Sequence, residues 1–133
     1  MSFEIGQKKE IKKTFTQKDV DQFSDLSMDT NRIHFDKDYC KKTLFGQPIV
    51  QGPYLTSLIG GLLGSYLPGE GTIYLSQNSN FKKPVYIGEE VTISVEVVNK
   101  RSDKNIITLQ TLVTKGNNET AIEGSAVVLL LNS

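Results

Sequence analysis

Between Ile49 and Gly69 the chain carries no charged side chain, and from Thr72 onward its apolar residues recur at every second position. That change of pattern constrains the fold more than any other feature. The segment VQGPYLTSLIGGLLGSYLPGEG has Gly52 followed by Pro53 near its start, and proline at the first helical position lacks only an amide hydrogen that would be unpaired anyway. A helix is predicted from Pro53 to about Tyr66, ended by Pro68 and Gly69. Being apolar on almost all faces, it is predicted to be buried rather than amphipathic. Gly60, Gly61 and Gly64 each cost roughly 1 kcal/mol of helix propensity against alanine, which predicts close packing of this backbone against a neighbour.

The period-two runs are long. Val91, Ile93, Val95 and Val97 alternate with Thr92, Ser94 and Glu96, while Ile107, Leu109, Thr111 and Val113 alternate with Thr108 and Gln110. A last run continues from Ala126 to Leu131. Gly116-Asn117-Asn118 is a hairpin signal and Gly88 in PVYIGEE offers another turn, so antiparallel neighbours are predicted. One buried helix with a long antiparallel sheet wrapped round it is an α+β layout. At 133 residues, without repeat or linker, a single domain over 1–133 is expected.

The N-terminal third is made of shorter pieces. Ile11, Lys13 and Phe15 alternate with polar residues in one possible strand at 10–15. Thr16 reads as the cap of a short amphipathic helix, QKDVDQFSDLS, with Val20, Phe23 and Ser27 or Leu26 on one side. Asp36 reads as the cap of another, KDYCKKTL.

Charge excludes some functions. Fifteen basic and fifteen acidic side chains cancel and are dispersed, so nothing argues for a nucleic-acid or anionic-membrane partner. The lysine clusters at 8–13, 41–42 and 82–83 read as solvated faces that could also meet a phosphorylated ligand. The start MSFEIGQKKE is polar, and the longest apolar run is broken by glycines well short of a membrane span. A soluble cytoplasmic protein is expected. One cysteine, Cys40, makes no intrachain disulfide and no zinc site.

The stretch SMDTNRIHFD, 27–36, holds the sole histidine. In a short turn Asp29 and His34 are close enough in sequence for their side chains to converge on one water, orient it, remove its proton and return one elsewhere. Asn31 between them would fix the loop or bond a ligand. The plainer alternative is a partly buried structural histidine in an everyday Asp-x-Asn turn. Asp29, His34 and Asp36 are too few for a convincing metal site, so no metal is expected. Gly52, at the start of the buried helix, presents a backbone N–H with positive dipole character where no Cβ blocks a carbonyl oxygen, which suits a thioester enolate. The bland reading is a glycine that ends a loop. Cys40 reads as packing rather than as a nucleophile.

These residues resemble a known family. FSDLSMDTNRIHFDKDYC (23–40) is similar to the hydratase-2 signature of the MaoC-like (R)-specific enoyl-CoA hydratases. FGQPIVQGPYL (45–55) and LPGEGTIYLSQNSNFKKPVYIGEEVTISVEV (67–97) are similar to the segments that follow it in the short, polyhydroxyalkanoate-type members. The resemblance implies a hot-dog fold, a curved antiparallel sheet around a central helix, working as a homodimer on acyl-CoA. It implies reversible syn hydration of trans-2-enoyl-CoA to (R)-3-hydroxyacyl-CoA, with CoA part of the substrate and no separate cofactor. By the same analogy Asp29 and His34 are the catalytic pair, Gly52 the donor to the thioester oxygen, and Asn31 a loop support. Gln51 and Ser57 are further candidates for substrate binding or loop support.

The departures from the motif are specific. Met28 stands for its glycine, Arg32 for its proline, Cys40 for its small residue and Gln51 for the histidine before Gly52. Two other readings remain beside the hydratase. A hot-dog thioesterase would want a carboxylate on or near the central helix, and Ile49–Gly69 has none. A non-catalytic acyl-CoA binding subunit would explain Met28 and Arg32 but leaves Asp29 and His34 without a task.

Overall fold

The computed structural model describes residues 3–101 and 103–131. Its elements in chain order are β1 (Lys8–Thr14), α1 (Gln17–Ser27), a 3₁₀ turn (Arg32–His34), α2 (Lys37–Lys41), α3 (Gly52–Ser65), β2 (Thr72–Phe81), β3 (Glu90–Arg101), β4 (Ile106–Lys115) and β5 (Thr120–Leu130). The strands form one antiparallel sheet in the order β1-β3-β4-β5-β2. The α+β hot-dog architecture expected from the sequence is the one observed.

The alternation in the strands places the core. Val91, Ile93, Val95 and Val97 of β3 and Ile107, Leu109 and Val113 of β4 are all buried, and they share one cluster with Leu55, Ile59, Leu62 and Leu63 of α3. Asn118 at positive φ closes the β4–β5 hairpin, as the Gly-Asn-Asn signal predicts. The Gly88 turn does something else. β2 and β3 are not neighbours, so the segment through Gly88 is a crossover from one side of the sheet to the other.

Local chemistry sets the helix ends. Thr16 and Asp19 form a reciprocal capping box at the start of α1, and the Asp36 carboxylate caps α2 by accepting from Tyr39 N. Two expectations need correction here. Leu26 is exposed and Ser24 takes the inward place, because Ser24 lies one turn after Val20. The second helix stops at Lys41 instead of continuing to Leu44.

The central helix is also less enclosed than its composition predicts. Leu55, Ile59, Leu62 and Leu63 face the sheet, but Pro53, Ser57, Gly61 and Gly64 are exposed on the other side of α3 within one chain. Of Gly60, Gly61 and Gly64 only Gly60 is closely approached, by the Tyr74 ring.

Candidate active site

The motif around His34 folds through its own short polar side chains. Ser24, on the last turn of α1, donates its hydroxyl to the Asp29 carbonyl. Asp29 Oδ1 accepts from Asn31 N at 3.0 Å, and Asn31 Oδ1 accepts from Ile33 N at 3.2 Å. Asn31 is therefore the cap of the 3₁₀ turn, which is loop support in a literal sense. This arrangement leaves Asp29 Oδ2 uncommitted to the backbone and lifts His34 to meet it, with His34 Nε2 3.3 Å away. The imidazole is buried and the carboxylate is about one-third exposed.

The other imidazole nitrogen fixes the tautomer. His34 Nδ1 lies 2.8 Å from the carbonyl oxygen of Ile49, which can only accept, so the proton of the neutral ring is on Nδ1. Nε2 then carries a lone pair and faces a carboxylate oxygen. Two acceptors 3.3 Å apart have no bond to each other; a water donating one hydrogen to each satisfies both. A water so held would keep both oxygen lone pairs free.

Gly52 begins α3 with Gln51 as its cap, and Gln51 O accepts from both Tyr54 N and Leu55 N. The Gly52 N–H has no acceptor among the described residues and keeps the positive character of a helix start. A Cβ here would come within 2.8 Å of the Phe81 ring. A larger residue here would have to displace that ring. Gly52 lines a cavity of about 330 Å³ together with Phe45, Ile49, Leu55, Phe81 and Val85. Ile49 is the shared element, lining the cavity and holding His34 through its carbonyl.

The remaining candidates fall in different places. Gln51 is fully buried, so it has no surface for a ligand; its Nε2 donates to Val20 O at 2.9 Å and ties the start of α3 to α1. Ser57 is not brought to the cavity: it is exposed on the outer face of α3 and its hydroxyl donates back to Tyr54 O. Cys40 is buried with its thiol 3.3 Å from Ile33 O, and burial pushes the thiol pKa up, away from nucleophile chemistry. Among the described residues no group of three or more His, Cys, Asp or Glu side chains is placed to hold a metal ion. Sequence reasoning missed Ser24 and the Ile49 carbonyl. A backbone acceptor fifteen positions from its histidine leaves no trace in residue identity.

The departures from the motif acquire physical content. Met28 has φ 66° and ψ 15° and ends α1 in the left-handed region, where glycine carries no Cβ penalty. Arg32, in the place of proline, puts Nε and Nη2 3.2 and 3.0 Å from Asp36 Oδ2 and lies over the Tyr39 ring at 4.6 Å. A side-chain latch stands where the family has a ring restraint.

Residues 2–119 match the family model described as MaoC like domain. The chain belongs to the MaoC-like family. It is 46% identical to the (R)-specific enoyl-CoA hydratase of Aeromonas caviae, covering 97% of this chain and 96% of that protein. It is 38% identical to the (R)-specific enoyl-CoA hydratase of Rhodospirillum rubrum, covering 94% and 86%. The solved structure of the (R)-hydratase from A. caviae involved in PHA biosynthesis superposes with a TM-score of 0.94 over 97% of this MaoC-like chain and 98% of that one. In this MaoC-like chain no described helix is long and apolar enough to cross a membrane.

Proposed function

We propose that the protein is an (R)-specific enoyl-CoA hydratase, a hydro-lyase that adds water reversibly and syn to trans-2-enoyl-CoA. The observation that carries this reading is the convergence of Asp29 Oδ2 and His34 Nε2, two acceptors 3.3 Å apart, on the place of one water. The water oxygen adds to C3 of the enoyl group. One water proton stays on the new hydroxyl, and the other passes to the Asp29–His34 pair, which delivers a proton to C2 from the same side. Negative charge develops on the thioester oxygen during addition, and the free N–H of Gly52 is the donor that meets it. All parts of this reaction come from side chains, backbone and water, so no cofactor beyond the CoA of the substrate is needed. The names of the A. caviae and R. rubrum relatives support the substrate class and the (R) product.

The working form is a homodimer of single-domain chains in the cytoplasm. The β1 edge of the sheet carries Lys8, Lys9, Lys12 and Lys13, which discourage pairing with another strand. The β2 edge has no such protection and exposes Ile73, Tyr74, Leu75 and Phe81. A second copy on that edge would extend the sheet and cover those side chains.

The test is loss of the conjugated-thioester absorbance when purified protein meets crotonyl-CoA, followed by chiral analysis of the product. Formation of (R)-3-hydroxybutyryl-CoA without free CoA is expected. Release of free CoA, or no turnover of short and medium enoyl chains by a folded protein, would overturn the proposal. Light scattering of the same preparation reads the dimer.

A further inference from the structure

The structure holds a buried cation that the hydration chemistry does not use. Lys115 ends β4 with its side chain only 8% exposed, and its Nζ lies 2.8 Å from Pro84 O, 3.3 Å from Glu89 Oε1 and 5.4 Å from the centre of the Tyr86 ring. Burying an ammonium is costly unless every contact is used, and here three different partners on one turn use it. That turn, Pro84 to Glu89, is closed on itself. Tyr86 N donates to the same Glu89 oxygen at 3.0 Å, and Glu89 N donates to Tyr86 O at 3.1 Å.

Gly88 N ties the turn to Phe15 O at 2.7 Å, and the turn's other contacts run toward His34. Tyr86 forms an isolated antiparallel bridge with Ile49, Val50 N donates to Val85 O at 2.8 Å, and the Tyr86 hydroxyl donates to Phe45 O at 3.0 Å. The segment from Phe45 to Val50 has no helix or ladder of its own, so this bridge and the hydroxyl bond set its course. Its Ile49 is then held on both sides, by the turn and by its own N–H on Ile33 O, and its carbonyl accepts the His34 Nδ1 proton.

We propose that Lys115 and Tyr86 are positioning residues for His34, acting through Glu89 and the Ile49 carbonyl to keep the imidazole proton on Nδ1 and the Nε2 lone pair toward Asp29. The proposal rests on the hydratase reading for the meaning of that orientation. A brace of this kind is built on β4, the rigid middle of the sheet, and transmits that rigidity to a loop which lacks it.

The chain has one histidine, so its ring can be observed without assignment ambiguity. Long-range ¹H–¹⁵N spectra of the imidazole read which nitrogen carries the proton, and crotonyl-CoA hydration reads kcat. In wild type a single form protonated at Nδ1 is expected. Lys115→Met keeps the length and apolar stem and removes the charge; it is expected to give averaged ring nitrogens and a kcat lower by roughly tenfold, the scale on which sub-ångström misplacement acts. Tyr86→Phe keeps the ring and removes the bond to Phe45 O; it is expected to shift both readouts in the same direction by a smaller factor, and it decides the matter if Lys115→Met does not fold. A folded variant with unchanged tautomer and kcat would overturn the brace, as would a loss of kcat with the wild-type tautomer intact. If wild type shows the Nδ1 form but no hydration, the hydratase reading fails and the spectra of the two variants still decide the brace.

Discussion

Asp29 Oδ2 and His34 Nε2 face each other at 3.3 Å, and in the neutral imidazole they do so as two acceptors, because the Ile49 carbonyl takes its one proton. The first prediction follows from that relationship. Asp29→Asn supplies an amide hydrogen that bonds Nε2 directly and displaces the water, and His34→Gln removes the second grip. Each is expected to lower kcat at least about 100-fold, the usual contribution of general acid–base catalysis. Since the two act as a unit, the double variant should lose little more than the worse single one. Steady-state kinetics beside thermal unfolding checks this, with all three variants expected to remain folded.

Gly52 is defined by the ring of Phe81. A methyl group on residue 52 would come within 2.8 Å of Phe81, whose side chain is more than half exposed and able to give way. Gly52→Ala is therefore expected to fold with a Tm lower by a few degrees, the equivalent of about 1 kcal/mol in a domain of this size. Its kcat/KM should fall by about tenfold or more as the donor is crowded. Adding Phe81→Ala should recover the Tm. Recovery of neither property would mean that the clash is elsewhere.

The two loop departures should respond in opposite ways. Met28 holds a left-handed backbone, so Met28→Gly is expected to raise stability by about 0.5–1 kcal/mol, the Cβ penalty less the extra freedom of glycine in the unfolded chain. Arg32→Ala removes the latch to Asp36 and Tyr39 and should lower kcat a few-fold, by roughly the cost of a small misplacement of His34. Arg32→Pro should restore it. The preceding Asn31 already has the extended φ −61° and ψ 127° that proline requires. Urea unfolding and turnover of the three variants test the pair of statements.

Acid should loosen the N-terminal third. The Tyr39 backbone N–H and then the Arg32 guanidinium hold the Asp36 carboxyl below its ordinary pKa, and the Thr16 backbone N–H does the same for Asp19. A carboxylate lowered in the folded state gives stability that is complete above its unfolded pKa and is lost as the pH falls through the folded value. Urea midpoints are therefore expected to drop through and below the carboxylate range. In Asp36→Asn the drop should be shallower. An equal slope in wild type and variant would remove Asp36 from the account.

Much of this fold is legible from periodicity. The alternation of Val91 to Val97 and of Ile107 to Val113 could only describe half-buried strands, and the Thr16 and Asp36 caps marked the starts of α1 and α2. The pairing order was not legible. Nothing in the residues around Gly88 says that β2 passes across to the far edge and leaves β3 beside β1. The same holds for the site, where Asp29, Asn31, His34 and Gly52 are visible as residue types but so is Ser57, a substrate-binding candidate that the fold leaves on the outer face of α3.

By itself, the sequence determined what depends on near neighbours in the chain: caps, strand alternation, and a Ser-x-Asp-x-Asn turn that bonds to itself. The tertiary structure decided what depends on backbone brought from far away. The Ile49 carbonyl selects the tautomer of the neutral imidazole, the Phe81 ring comes to rest against Gly52, and Lys115 bonds the carbonyl of Pro84, 31 residues earlier. A carbonyl oxygen is the same atom in every residue, so its role is set by where the sheet carries it.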